Sequence, residues 1–176
     1  MKQNMRKRTP LAVLLALCLA MQLCVPAAMA SNRLMRAGDA AIAQIEEEEG
    51  FRAEKYSSGG KWYIGYGTEC GAEDYPEGIT REEAELLLMS KVEAYEAKLN
   101  DFFGRYDVTP TQGQFDALIC FSYNFGTGWM SGTSDLVKIA RGEKDATRLE
   151  VAHAFGEWCH SGGQAQAGLA YRRLQE

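Results

Sequence analysis

The sequence is poor in the features that would point to several common classes of protein. Its 176 residues include two histidines, four prolines and five cysteines. No segment repeats with a period of about 20–50 residues, which excludes a solenoid. The 19 basic residues are outnumbered by 24 acidic ones, so the chain lacks the basic surface that general nucleic-acid binding requires. The 46% apolar content is too high for a disordered chain, and the length suits one ordinary domain.

The two histidines do not form a metal-binding pattern. His153 and His160 lie seven residues apart, and only Cys159 is close to them in sequence. A zinc site needs more nitrogen or sulfur ligands at suitable spacing, so we expect no metal. The adjacency of Cys159 and His160 does not by itself direct the thiol at the imidazole, and no further partner indicates a cysteine peptidase.

The N-terminal apolar run is too short and too interrupted for a stable membrane anchor. Residues 1–30 begin with four basic residues and no acidic one, continue with an apolar run from Leu11 to Cys24, and end in a small-x-small motif at Ala30. This order is typical of a secretory signal peptide cleaved after Ala30, whereas a spanning helix needs about 20 apolar residues. We therefore expect residues 31–176 to be secreted as a monomer without membrane insertion.

Removal of the predicted signal changes the charge and the cysteine count. It removes four of the 19 basic residues and none of the 24 acidic ones, so the net charge falls from −5 to −9. Cys70, Cys120 and Cys159 remain, which allows at most one disulfide. Cys120 lies on an apolar helical stripe and is predicted to be buried. Whether Cys70 and Cys159 pair stays open, because spacing alone cannot bring two thiols together.

The first half of the mature chain predicts a short helix followed by a small sheet. Asp39 is predicted to cap a helix over Ala40–Glu49, which Gly50 ends. Residues 56–68 combine aromatic and β-branched side chains with glycine pairs, a pattern that favours a β-hairpin or meander. A polar loop follows over residues 71–78.

The second half predicts helices. Thr80 with Glu83, and Thr111 with Gln114, form two capping-box patterns, each followed by apolar residues at spacings of three and four. The first of these helices should run about 20 residues. Further helices are predicted near residues 134–141 and 147–158 and in a last segment that contains Leu169, Arg172 and Arg173. The fold class is α+β with a dominant helical part.

One residue of the acidic run at positions 46–49 has a position that suits a catalytic carboxyl group. Glu49 follows Ile42 by seven residues and Ile45 by four, so on a helix it shares their apolar face, whereas Glu46–Glu48 are predicted to be solvated. Burial and acidic neighbours both favour a protonated carboxyl, which is what a general acid requires. A structural glutamate bonded to backbone amides or to an arginine such as Arg52 is the open alternative.

Several motifs occur in a fixed order from residue 40 to residue 176. They are Glu49-Gly50-Phe51-Arg52, Tyr56, residues 62–68, 78–84, 111–118 and 122–126, Trp158, Gly162-Gly163, and Gly168-Leu169 with Arg172-Arg173. Together they resemble phage-type lysozymes, glycoside hydrolase family 24. The resemblance implies a lysozyme-like α+β fold, with a small sheet lobe joined by a long helix to a larger helical lobe. It also implies cleavage of peptidoglycan between N-acetylmuramic acid and N-acetylglucosamine, with Glu49 at the position of the general acid.

The sequence departs from the family at two site positions. Ser58 stands where the family has its second catalytic carboxylate, and Tyr63 stands where it has a threonine that positions water. A serine without a histidine beside it is neither a carboxylate nor an activated nucleophile. We therefore expect the fold and the glycan groove to persist while turnover is impaired.

Three explanations of these departures remain open. Another acid can reach the groove; the nearest in sequence are Glu54, Glu69, Glu73 and Asp74. The enzyme can run slowly on Glu49 alone, or the protein has become a peptidoglycan-binding module. A further alternative concerns how the enzyme is delivered. The chain would then be a phage endolysin whose N-terminal segment, with Cys18 and Cys24, is a releasable membrane anchor.

Overall fold

The computed structural model describes residues 34–161 and 163–176; the predicted signal peptide, residues 1–30, lies outside the described residues. The elements follow the predicted order of a helix, a small sheet and then helices. They are α1 (Asp39–Glu49), β1 (Arg52–Ser58), β2 (Lys61–Gly65), β3 (Thr68–Cys70), α2 (Arg81–Arg105), α3 (Gln112–Phe125), a 3-10 helix (Gly128–Ser131), α4 (Asp135–Ala140), α5 (Arg148–Gly156), β4 (His160–Ser161), β5 (Gln164–Ala165) and α6 (Ala167–Gln175). The architecture is α+β, as predicted.

Helix α1 begins one residue earlier than predicted. Gly38 takes the extended N-cap conformation, and Asp39 lies in the first turn. The Gly38 N–H donates to Asp116 Oδ1 at 2.8 Å, so a carboxylate on α3 fixes the start of the helix. The prediction that Asp39 caps α1 is therefore wrong, although an acid in the first turn still suits the helix dipole. Gly50, at φ +66°, ends the helix as predicted.

The three longer strands form an antiparallel meander in the order β1–β2–β3. Gly59 and Gly60 both have positive φ and make the tight turn between Ser58 and Lys61. One face of the sheet packs on the core through Ile64, which is fully buried. On the opposite face Ser58, Lys61 and Glu69 are exposed, and Tyr56 and Tyr63 are partly buried.

Capping boxes start the helices that carry most of the core. Both reciprocal hydrogen bonds of the box form between Thr80 and Glu83 and again between Thr111 and Gln114. Helix α2 extends to 25 residues, somewhat longer than predicted. The apolar stripe predicted for it is buried at five positions, which are Ala84, Leu88, Val92, Leu99 and Phe102.

An aromatic cluster forms the centre of the helical lobe. Phe121 on α3 makes edge-to-face contacts with Trp129, Phe155 and Trp158 at centroid separations of 5.8, 5.5 and 5.5 Å. Such geometry adds to the stabilisation that burial of the rings provides. The cluster joins α3 to the C-terminal helices and so fixes the platform from which α6 reaches α1.

The cysteines of the described chain are free thiols, so Cys70 and Cys159 do not pair. Cys120 is buried as predicted, and burial raises the pKa of its thiol to about 12. Among the described helices, none has the length and apolarity needed to cross a membrane.

Candidate active site

Glu49 lies where α1, the sheet and the C-terminal helix α6 meet. It is the last residue of α1, and the same helix face buries Ala41 and Ile45. Its side chain is 22% exposed, in agreement with the interior-facing position that the spacing predicts. The carboxyl is thus half-buried with one edge accessible to a ligand.

Arg172 on α6 is the cation that holds Glu49. Its Nη1 donates to Glu49 Oε1 at 2.7 Å, and its Nη2 donates to the Cys120 carbonyl at 3.4 Å. Arg172 is only 9% exposed, so the guanidinium is fixed by buried partners. The arginine contact left open in the sequence analysis therefore forms, but with Arg172. Arg52 instead lies over the Tyr56 ring, with Cζ 4.3 Å from the centroid.

The acidic run is less solvated than predicted. Glu48 is 17% exposed, and its Oε2 forms an ion pair with Nε of Arg172. Gln44 Nε2 also donates to Glu48 Oε1 at 3.0 Å. The prediction of a solvated Glu48 is wrong because α6 brings one arginine against two consecutive carboxylates. This places Glu48, Arg172 and Glu49 in one network in which the arginine orients both acids.

The other carboxylate oxygen of Glu49 approaches the turn between β2 and β3. A Cβ on Gly67 would lie 3.1 Å from Glu49 Oε2 and 3.9 Å from the Tyr56 hydroxyl oxygen. Gly67 also has φ +73°, so both its conformation and its surroundings favour glycine. Glycine at position 67 therefore lets the backbone of this turn approach the Glu49 carboxylate closely.

Lys91 is a site residue that the sequence analysis missed. Its Nζ donates to the Gly67 carbonyl at 3.2 Å and lies 3.9 Å from the centroid of the Tyr123 ring. Burial lowers the pKa of Lys91 and Arg172 lowers it further, whereas the carboxylates of Glu49 and Glu69 raise it. Its place on α2, three residues after Leu88, was a signal that could have revealed a lysine on the apolar face.

Tyrosines surround this part of the site. The Tyr123 hydroxyl donates to the Tyr66 carbonyl at 2.7 Å, and the Tyr95 and Tyr123 rings meet edge to face at 6.1 Å. Burial raises the pKa of Tyr56, Tyr95 and Tyr123, and the Glu49 carboxylate adds to each shift. The phenols are therefore neutral hydrogen-bonding groups at physiological pH.

Strand register brings Ser58 and Tyr63, where the sequence is expected to depart from the family, to the same face of the sheet. Tyr56 pairs with Tyr63 and Ser58 pairs with Lys61 across β1 and β2, and Tyr63 pairs with Glu69 across β2 and β3. Directly opposed residues share a face, so these five side chains define what we call the open face. The Tyr56 and Tyr63 rings stack with centroids 5.7 Å apart. Ser58 and Tyr63 therefore lie on the face whose Tyr56 hydroxyl approaches the Glu49 site.

The four acids considered from the sequence have different placements. Glu69 lies on the open face, where Lys61 Nζ is 2.8 Å from its Oε2. Asp74 Oδ2 accepts from the Gly71 N–H at 2.6 Å and thus stabilises its own loop. Glu73 is exposed in the same loop. Glu54 is exposed on β1 within the stretch where the register with β2 shifts, so strand alternation does not assign it to the open face.

Three other features were considered as possible sites: a cysteine–histidine contact, a group of metal ligands and an apolar pocket. Cys159 Sγ is 3.7 Å from His160 Nδ1. The thiol and the imidazole are therefore in contact, which their adjacency in sequence did not by itself predict. The described residues contain no group of three or more histidine, cysteine or acidic side chains arranged to hold a metal ion. A pocket of about 290 Å³ in the helical lobe is lined mainly by apolar residues, including Phe103, Leu118, Leu136 and Phe155, and contains none of the site residues described above.

Comparison with known proteins identifies relatives of the whole described domain. The family model for phage lysozyme matches residues 46–176. The endolysin of Bacillus phage B103 is 35% identical over 146 residues, which is 81% of this chain and 52% of that protein. The chain spans about half the length of the curated relatives it matches.

Solved structures agree in fold. An endolysin from Escherichia coli O157:H7 phage FAHEc1 is 30% identical with a TM-score of 0.65, over 80% of this chain and 89% of that one. The muramidase domain of SpmX from Asticaccaulis excentricus is also 30% identical, with a TM-score of 0.61, over 80% and 93% of the two chains. These similarities confirm the predicted lysozyme-like architecture. Since the family model also covers well over half of the sequence, the chain belongs to the phage lysozyme family.

Proposed function

We propose that the protein is a muramidase that hydrolyses the bond between N-acetylmuramic acid and N-acetylglucosamine in peptidoglycan. The observation that carries the proposal is the half-buried Glu49 carboxyl, held by Arg172 and facing Gly67 at the edge of the open face. Family membership supports the same reaction. No cofactor is required, since glycoside hydrolysis needs carboxyl groups, water and substrate.

Glu49 is the general acid in this proposal. When a glycan lies along the open face, the carboxyl donates its proton to the glycosidic oxygen as the bond to the anomeric carbon breaks. Arg172 fixes the orientation of the carboxyl through Oε1, which leaves Oε2 on the side of Gly67 and Tyr56. General acid catalysis of this kind contributes about 10²–10⁴-fold to the rate.

We infer that activity is impaired relative to family members that keep the second carboxylate. Ser58 occupies that position and Tyr63 occupies the threonine position, and neither side chain is a carboxylate. Loss of one stabilising group in a catalytic site commonly costs about 3–4 kcal/mol in the transition state. The same two residues favour a second candidate function, a module that binds peptidoglycan strands without cleaving them.

The test is release of reducing ends from purified sacculi, combined with sedimentation of the protein with the sacculi. We expect slow hydrolysis by the wild type, a loss of about 10²-fold or more in Glu49→Gln, and faster hydrolysis in Ser58→Asp. Binding should be similar in all three proteins. Robust hydrolysis by the Glu49→Gln variant would show that Glu49 is not the general acid. Binding without hydrolysis by both the wild type and Ser58→Asp would establish the binding module.

We also propose that the protein is exported by cleavage after Ala30 and acts at the cell wall. The basic, apolar and small-residue segments of residues 1–30 support this delivery. Mass spectrometry of the exported protein should find a mature N-terminus at Ser31. Retention of Cys18 and Cys24 in the exported form would instead support the releasable anchor.

A further inference from the structure

The open face has its own carboxylate, on a different strand from the family position. Of the five side chains that define this face, Glu69 is the one acid. It stands directly opposite Tyr63, the residue in the family's threonine position. Opposed residues on neighbouring strands have Cβ atoms about 5 Å apart, so Glu69 lies next to the position from which the family orients water.

Glu69 is paired with a lysine and remains accessible. Lys61 Nζ lies 2.8 Å from Glu69 Oε2, and the two side chains are 58% and 55% exposed. The hydrogen bond and the charge of Glu69 raise the pKa of Lys61, so the ammonium is charged whenever the carboxylate is. An exposed pair of this kind is weak and exchanges with water, which leaves the second carboxylate oxygen free to accept a proton.

Glu49 and Glu69 are linked through the turn at Gly67. Glu49 Oε2 approaches Gly67 from the end of α1, and Glu69 follows Gly67 by two residues on β3. Lys91 donates to the Gly67 carbonyl, and both carboxylates raise its pKa. The turn therefore joins the two walls of the candidate site, the end of α1, which we call the helix wall, and the open face, which we call the sheet wall.

We propose that Glu69 partly replaces the missing second carboxylate and activates the attacking water. The proposal rests on the muramidase function. As Glu49 gives its proton to the leaving oxygen and the glycosidic C–O bond breaks, a water molecule forms the new C–O bond and loses a proton to Glu69. Glu69 then returns that proton through solvent and Glu49 is reprotonated, so the cycle consumes one water.

The first experiment compares two neighbouring exposed acids. Glu69→Gln and Glu73→Gln make the same change in charge and shape, but Glu73 lies in the loop outside the open face. We expect Glu69→Gln to lower the release of reducing ends from sacculi by about 10²-fold, and Glu73→Gln to stay within about twofold of the wild type. Sedimentation with sacculi and the melting temperature should be unchanged in both.

The second experiment distinguishes a chemical role from a structural one. In Glu69→Ala, added azide should restore cleavage, measured as soluble glycan fragments released from the sacculi, because azide attacks the anomeric carbon without having to lose a proton. The product is a glycosyl azide, which has no reducing end, and Glu49 protonates the leaving oxygen. Loss of activity without rescue by azide would overturn the water-activating role.

The two proposals fail in different ways. Full activity of Glu69→Gln in an active wild type would overturn the role of Glu69 and leave the muramidase function intact. A wild type that binds sacculi and releases no reducing ends would overturn both.

Discussion

Each of the two walls of the candidate active site contains an ion pair, but the two pairs differ in how exposed they are. On the helix wall, Arg172 and Glu49 meet at 2.7 Å with side chains 9% and 22% exposed. On the sheet wall, Lys61 and Glu69 meet at 2.8 Å, but both side chains are more than half exposed. The distances are nearly equal, so exposure and not geometry decides what each pair does.

Because of this difference in exposure, we expect the helix-wall pair to stabilise the fold and the sheet-wall pair to affect mainly the rate of hydrolysis. A buried ion pair that loses one partner leaves an uncompensated charge, which is strongly destabilising. An exposed pair is screened by water and salt and contributes little. The helix wall carries the proposed general acid, whereas the sheet wall carries Ser58 and Tyr63. We therefore expect substitutions on the sheet wall to cost the fold less.

The largest expected effect is on the helix wall. Arg172→Met would leave Glu48 and Glu49 half-buried beside each other without their cation. We expect the free energy of unfolding to fall by about 3–5 kcal/mol, as measured by urea denaturation at neutral pH. Hydrolysis should fall as well, since Glu49 loses its orienting partner.

Arg105→Met is the matched control for this change. Arg105 pairs with Asp101 one turn earlier on α2, and both side chains are at least 65% exposed. Its loss should cost about 0.5 kcal/mol or less. Equal destabilisation by the two substitutions would contradict the contrast between buried and exposed pairs.

Local signals in the sequence predicted much of the fold. The Thr80–Glu83 and Thr111–Gln114 patterns form complete capping boxes because each depends on residues within a single turn. Gly50 ends α1 as its conformation requires. Asp39 fails as a cap because Asp116, which is distant in sequence, binds the Gly38 N–H.

The site was less predictable because its decisive contacts are non-local. Glu49 and its partner Arg172 are 123 residues apart, so a neighbour such as Arg52 was the natural candidate. Glu69 was one of four acids of equal standing until strand register assigned it to the open face. The lesson is that periodicity identified Glu49 as inward-facing, while tertiary packing alone determines what meets it there.

Lys91, between the two walls, gives an intermediate effect that depends on pH. Burial lowers the pKa of Lys91 below its ordinary value of 10.5. Between the lowered pKa and pH 10.5, this lysine is therefore protonated more often in the unfolded chain than in the folded one. Lys91 by itself should therefore make stability rise as pH increases toward 10.5, whereas the buried thiol of Cys120 and the buried phenols, whose pKa values are raised, act in the opposite direction. Lys91→Met should lack the rising contribution, so the stability of the wild type relative to this variant should increase over that range, with the two proteins within about 1 kcal/mol of each other at neutral pH.

Urea denaturation across this pH range measures the effect, and Lys98→Met serves as the control. Lys98 is exposed one heptad later on the same helix, so its loss removes an equal charge without changing a half-buried ammonium. A rise that persists unchanged in Lys91→Met would assign the pH dependence to another group.

The smallest expected effect on stability is on the sheet wall. Lys61→Met should leave the urea midpoint unchanged, because water replaces the lysine at a carboxylate that is already 55% exposed. The rate of hydrolysis should nevertheless fall several-fold, since Glu69 loses the cation that holds it beside Tyr63. Lys61→Arg preserves the charge and should keep most of the rate. Because salt screens the exposed pair, the wild-type rate should approach that of Lys61→Met as ionic strength increases. A rate difference that persists at high salt would show that Lys61 acts through something other than its charge, whereas a lowered urea midpoint would show that the sheet wall also carries stability.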